Sequence, residues 1–146
     1  MISHVDVAVE RERVIQIART WLNTPYHPEA RVKGAGCDCA TLLAEVYKEA
    51  GVIPHFEIEH YPQDWHLHRS EELYLNQVLR FAHEVTAPLP GDICLWQIGR
   101  TFSHGAIVIA WPSIINAVMG RGVLYGDASN DGDLIGRKHR FFSPWA

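Results

Sequence analysis

The hydrophobic rhythm of this chain changes once, and the change limits the folds open to it. Up to about residue 85 apolar residues recur at helical spacing; beyond it they come in short β-branched or aromatic runs cut by Gly, Pro or Ser. The first helix is predicted from about Ala8 to Asn23, with Val14, Ile17, Ala18 and Trp21 on one face and Glu10, Arg11, Glu12 and Arg13 in solvent. The two prolines of "NTPYHPEA" end it. A second helix is predicted from about Cys39 to Ala50. Leu42, Leu43, Val46, Tyr47 and Ala50 form its apolar stripe, Asp38 its N-cap and Gly51 its stop. A polar and aromatic loop, "IPHFEIEHYPQDWHLH", leads to a third helix in "SEELYLNQVLRFAHEV", capped by Ser70 with Glu71 and Glu72 in its first turn. The runs "PLPGDICLWQI", "SHGAIVIAW", "SIINAVM" and "RGVLYGD" read as strands, and "GRKHRFFSPWA" as a last short strand packed through Phe141, Phe142 and Trp145. Helices gathered ahead of strands define an α+β chain, not an alternating βαβ one.

Composition narrows the function classes. The 146 residues suit one domain, 1–146, and 47% hydrophobic content suits a single core. A net charge of −4 argues against a general nucleic-acid binder. No stretch is long and apolar enough for a membrane span, and "MISHVDVAVERERV" lacks the pattern of a secretory signal. Three cysteines, Cys37, Cys39 and Cys94, do not make a disulfide scaffold, so reduced thiols are expected.

The chemistry concentrates at Cys39. A thiol in the first turn of a helix meets unpaired backbone N–H groups, which favour thiolate and face an oxyanion forming on a bound carbonyl. Cys37, ahead of the cap, gains less of either effect, and Cys94, in an apolar run, reads as a small core hydrophobe. A nucleophilic cysteine needs a general base brought to it by the fold. Among nine histidines His104 stands at the mouth of the most hydrophobic run, "SHGAIVIAW", although a plain solvent-facing strand edge fits that position too. Asn116 lies on the following strand, where a suitable register would let its amide orient the imidazole. The C-x-C pair with His55, His60, His66 and His68 matches no usual zinc spacing, so neither a metal nor another cofactor is expected. Trp21 and Trp96 read as core, Trp65, in the long loop, as a candidate groove lining, His139 as solvated, and "GRGVLYGDASNDGD" as turns.

Taken together, "ARTWLNTPY", "GAGCDCATLLAEVYKEAGV", "PLPGDICLW", "SHGAIVIAW" and "IINAV" resemble, in order and spacing, the NlpC-type papain-like cell-wall peptidases. "VKGAGCDC" and "YPQDW" resemble the phage-associated subgroup. The resemblance implies an α+β papain-like core with the nucleophile at a helix N-terminus packed on an antiparallel sheet. It implies Cys39 as nucleophile, His104 as base and Asn116 as the polar third residue, where many relatives carry histidine. It also matches Tyr26 to a tyrosine lining the site, and Asp38 and Ser103 to positions that in some relatives hold the free amine of an N-terminal L-alanine. Ala40 and Thr41 stand where relatives often have Ser and Gly.

The implied substrate is a bacterial peptidoglycan peptide, typically at the bond between γ-D-glutamate and the diamino acid. Without an attached wall-binding domain or export signal, the resemblance points to a product made in the bacterial cytoplasm and carried in a phage tail or similar particle. Tail proteins are then expected partners, and neither nucleic acid nor membrane insertion is. The alternative is a tail-assembly module on the same fold, with catalysis dispensable.

Overall fold

The structure, a computed structural model, describes residues 4–58 and 73–145. The elements run α1 (His4–Thr20), β1 (Arg31–Val32), β2 (Gly36–Cys37), α2 (Cys39–Glu49), α3 (Leu73–Leu79), β3 (His83–Val85), β4 (Ile93–Ile98), β5 (Thr101–Ala110), β6 (Ser113–Val118), β7 (Gly122–Asp127) and β8 (His139–Ser143). Six strands form one antiparallel sheet in the order β3-β8-β4-β5-β6-β7, and β1 and β2 form a separate two-stranded ribbon. The α+β expectation, helices first and an antiparallel sheet after, describes the molecule.

α2 forms for the reasons its sequence supplies. Asp38 caps it, its carboxylate accepting from Ala40 N and Thr41 N at 2.9 Å, while Thr41 Oγ1 accepts from Asp38 N at 2.8 Å, a reciprocal capping box. Leu42, Leu43, Val46 and Tyr47 are wholly buried or nearly so. Ala50 closes the helix, and Gly51 follows in the left-handed region at φ 78°, the usual way a helix ends. α1 begins ahead of the predicted Ala8 and stops at Thr20, three residues before the predicted Asn23.

The third helix is the clearest correction. It ends at Leu79, and His83–Val85, predicted to continue it, form an edge strand paired with Phe141–Ser143. The pairing partner lies almost sixty residues downstream, so local periodicity could not reveal it. The predicted Ser70 cap, and Trp65, His60, His66 and His68, lie outside the described residues.

Two cores sandwich the sheet. On one face α1, α2 and α3 pack Val14, Trp21, Leu42, Val46, Tyr47, Leu75 and Val78 against Ile93, Leu95, Ile107, Ile115 and Phe142. On the other, Cys94, Trp96, Ala106, Val108 and Ile114 are covered by Leu134 from the β7–β8 loop and by Trp111 and Phe141. Strand alternation explains the division, since Ile93, Leu95 and Ile107 point one way and Cys94, Trp96 and Ala106 the other. A partly buried ion pair, Arg11 Nη1 to Asp92 Oδ1 at 2.8 Å, ties α1 to the start of β4, with Arg11 also stacked 4.4 Å over Trp145. His139 is exposed, as expected, and its ring also contacts Trp96, Trp111 and Phe141 at centroid distances of 5.3 to 6.5 Å.

Candidate active site

The first turn of α2, the start of β5, the middle of β6 and the β7–β8 loop enclose a cavity of about 320 Å³. Tyr26, Asp38, Cys39, Ser103, His104 and Asn116 all line it, and Tyr74, Met119, Asp131, Asp133, Leu134 and Arg137 complete much of the wall. The six residues singled out from sequence, spread over ninety positions of chain, therefore share one hollow.

Strand register brings His104 and Asn116 together. Ala106 faces Asn116 across β5 and β6, so His104, two residues earlier on the same face, is its diagonal neighbour. The side chains meet with His104 Nε2 2.9 Å from Asn116 Oδ1. Asn116 Nδ2 donates to Leu124 O at 3.3 Å, which fixes the amide's orientation. Oδ1 must then accept, so Nε2 carries the proton and Nδ1 is left with its lone pair. Burial holds the His104 pKa below its ordinary 6.5, against the opposing pull of the Asn116 hydrogen bond and the Asp131 and Asp133 carboxylates. A neutral imidazole with a free Nδ1 is the form a general base requires.

Cys39 is placed at the cavity wall by the cap that starts α2. Its thiol donates to Ser103 O at 3.6 Å. The expectation of an acidified thiol is not what this geometry displays. Burial, and then the Asp38 carboxylate, push the Cys39 pKa up to about 12, with Gly105 N–H, the Tyr74 hydroxyl and its own N–H pulling the other way. Beyond burial, the identity of the cap contributes. A carboxylate at the helix N-terminus offsets the partial positive charge there and occupies the Ala40 and Thr41 N–H groups. Cys39 therefore rests as a thiol in the same cavity as a neutral histidine.

Oxyanion donors are limited by the same cap. With Ala40 N–H and Thr41 N–H engaged by Asp38, Cys39 N–H is the first-turn donor that the cap carboxylate does not occupy. Tyr26 arrives through backbone pairing. His27 N donates to Cys37 O at 3.0 Å and Cys37 N to Pro25 O at 3.1 Å, which lays residues 25–27 beside β2 and the entrance of α2. Burial first, then the nearby Cys39, Asp38 and Cys37, raise the Tyr26 pKa far above its ordinary 10, so its hydroxyl keeps its proton and remains a donor.

Asp38 and Ser103 line the cavity but are already employed. Asp38 Oδ1 caps α2 and Oδ2 accepts from Glu29 N at 2.7 Å. Ser103 Oγ donates to Ile98 O at 3.5 Å. Cys37 is wholly buried beside the site with its pKa raised to about 12 by burial and Asp38, and Cys94 is buried in the opposite core with its pKa raised by burial alone. No cysteine pair is bonded, and among the described residues no His, Cys, Asp and Glu side chains converge as metal ligands. No helix among them is long and apolar enough to cross a membrane.

Sequence reasoning missed two contributors. Tyr74 reads as a core aromatic on a helical stripe, and nothing local says that its hydroxyl reaches Cys39. The β7–β8 loop reads as turns, yet Leu134 is 4% exposed and Asp131, Asp133 and Arg137 face the cavity. An isolated leucine among Asp and Gly was the available signal.

No family model matches the chain, and no curated protein does. Solved structures do match. The NlpC/p60 domain of the peptidoglycan hydrolase SagA is 17% identical over 89% of this chain and 96% of its own, with a TM-score of 0.58. NlpC1 from Trichomonas vaginalis is 16% identical over 91% of this chain, with a TM-score of 0.66; this chain spans 43% of its length. RipD from Mycobacterium tuberculosis, described as a non-catalytic NlpC/p60 domain protein adapted to peptidoglycan binding, is 11% identical over 92% of this chain and 96% of its own, with a TM-score of 0.58. At such identities the likeness establishes the fold, which is that of NlpC/p60 domains.

Proposed function

We propose that this chain is a cysteine peptidase that cuts bacterial peptidoglycan stem peptides, at the bond between γ-D-glutamate and the diamino acid. The observation that carries the reading is the convergence of Cys39, His104 and Asn116 on one cavity, with the His104–Asn116 bond leaving Nδ1 as a base. In the proposed cycle Nδ1 takes the Cys39 proton as the sulfur turns from Ser103 O and attacks the peptide carbonyl. Cys39 N–H and the Tyr26 hydroxyl hold the oxyanion. Collapse breaks the C–N bond, the imidazolium gives its proton to the departing amine, and water activated by His104 then releases the acyl group from sulfur. Asn116 keeps the imidazole in the productive tautomer throughout.

Delivery by a phage or prophage tail belongs to the same proposal and rests on the sequence resemblance alone. The test is digestion of purified peptidoglycan followed by mass spectrometry of the soluble products. Wild type releases fragments ending at γ-D-glutamate and Cys39→Ala releases none. Equal products from both proteins would overturn the assignment.

One observation favours a second reading. The Cys39 thiol bonds to Ser103 O and its pKa is raised, as in a residue not primed for attack. A catalytically dispensable tail-assembly module predicts that particles carrying Cys39→Ala assemble and infect normally. Loss of infection with that variant would count against it.

A further inference from the structure

Tyr74 stands out among residues the catalytic scheme does not use. It sits in the first turn of α3, is 5% exposed, and extends its hydroxyl across the start of β5 to donate to Cys39 O at 2.8 Å. Room for this reach exists only because residue 105 is glycine. A Cβ there would lie 2.4 Å from the Tyr74 hydroxyl oxygen and 2.9 Å from Leu95 Cδ2. A backbone position beside the base is thus kept bare to admit one phenol.

The acceptor it reaches does not depend on it. Cys39 O opens α2, where helix geometry already supplies the N–H of Leu43 four residues on. A second donor on that carbonyl adds little, and releasing it costs little. The same hydroxyl lines the cavity that the Cys39 side chain also lines, and it is among the groups that draw the Cys39 pKa down. Because a phenol has one proton, it serves the carbonyl or the sulfur at any moment, not both.

We infer that Tyr74 is a further catalytic residue of this site: its hydroxyl donates to the Cys39 carbonyl while the thiol is protonated and turns to the sulfur once His104 has taken the proton. It supplies the stabilisation that the Asp38 cap withholds at the helix N-terminus. The covalent steps are unchanged, since Tyr74 only donates a hydrogen bond and keeps its proton. The inference rests on Cys39 being the nucleophile, the reading proposed above.

The test is the pH dependence of iodoacetamide alkylation at Cys39, read by mass spectrometry in wild type, Tyr74→Phe, Leu75→Ala and His104→Ala. Tyr74→Phe should move the Cys39 curve about one unit towards alkali, so that at fixed pH below the midpoint the rate falls about tenfold, the size expected for one hydrogen bond to a charged group. Leu75→Ala loosens the same helix without touching the hydroxyl, and should leave the curve in place. An unmoved curve in Tyr74→Phe, or an equal displacement in Leu75→Ala, would overturn the inference. His104→Ala reports separately on the Cys–His reading: if it changes nothing while Tyr74→Phe still shifts the curve, the base assignment fails and the Tyr74 role stands.

Discussion

His104 and Asn116 sit diagonally across β5 and β6 with Nε2 2.9 Å from Oδ1, and this bond decides which imidazole nitrogen is free. Asn116 is 1% exposed and lines the cavity. Asn116→Ala leaves the Nε2 proton without an acceptor and frees the ring to rotate or change tautomer. The expected loss is about 10- to 100-fold in kcat/KM, with about 1–3 kcal/mol of stability. Steady-state kinetics and a urea melt on one preparation check both figures.

The acid limb of activity should lie below pH 6.5. Burial is the main cause that holds His104 under its ordinary value, so the neutral base persists into mildly acidic solution. Asp131 and Asp133 act in the opposite direction, and Asp131→Asn with Asp133→Asn should move the limb further towards acid. Stability follows the same sign. Between the folded and unfolded pKa values the unfolded chain binds more protons, so this contribution is full above 6.5 and is lost as pH falls through the folded value. Thermal melts between pH 7 and 5 should fall less steeply in His104→Gln than in wild type.

Asp38→Asn separates the cap from its charge. An amide oxygen still accepts from Ala40 and Thr41, but the negative charge that raises the Cys39 pKa is gone. Cys39 alkylation at neutral pH should become faster. The cost is the Glu29 N–H bond to Oδ2, about 1–2 kcal/mol on unfolding.

Leu134 holds the loop that carries Asp131, Asp133 and Arg137 against the outer face of the sheet. Leu134→Ala should cost about 2–4 kcal/mol and loosen that wall. With the Cys39, His104 and Asn116 side chains untouched, KM for stem peptides should rise several-fold more than kcat falls.

Legibility in the sequence followed the range of the interactions. α2, its Asp38 cap and the apolar runs of β4 to β7 are set by neighbours within a few residues, and they were readable. The edge strand at His83–Val85 was not, because only the distant Phe141–Ser143 segment makes it a strand. Cys39 and His104 stood out by chemical type and position. Their shared cavity depends on register and on α2 packing, neither of which is encoded locally. The raised Cys39 pKa is not legible locally, because it comes first from burial, which depends on tertiary packing, and then from the carboxylate cap that offsets the positive helix N-terminus. Tyr74 went unseen because a buried tyrosine on a helix has the same pattern whether or not its hydroxyl reaches a functional atom.

The most direct test of the account is the alkylation rate of Cys39 at pH 7 in wild type and His104→Ala, with the fully buried Cys37 and Cys94 as internal references. The account predicts that Cys39 reacts faster than both in wild type and slows at least tenfold without His104, while the references hold steady. Equal Cys39 rates in the two proteins would contradict a working Cys39–His104 pair and, with it, the peptidase.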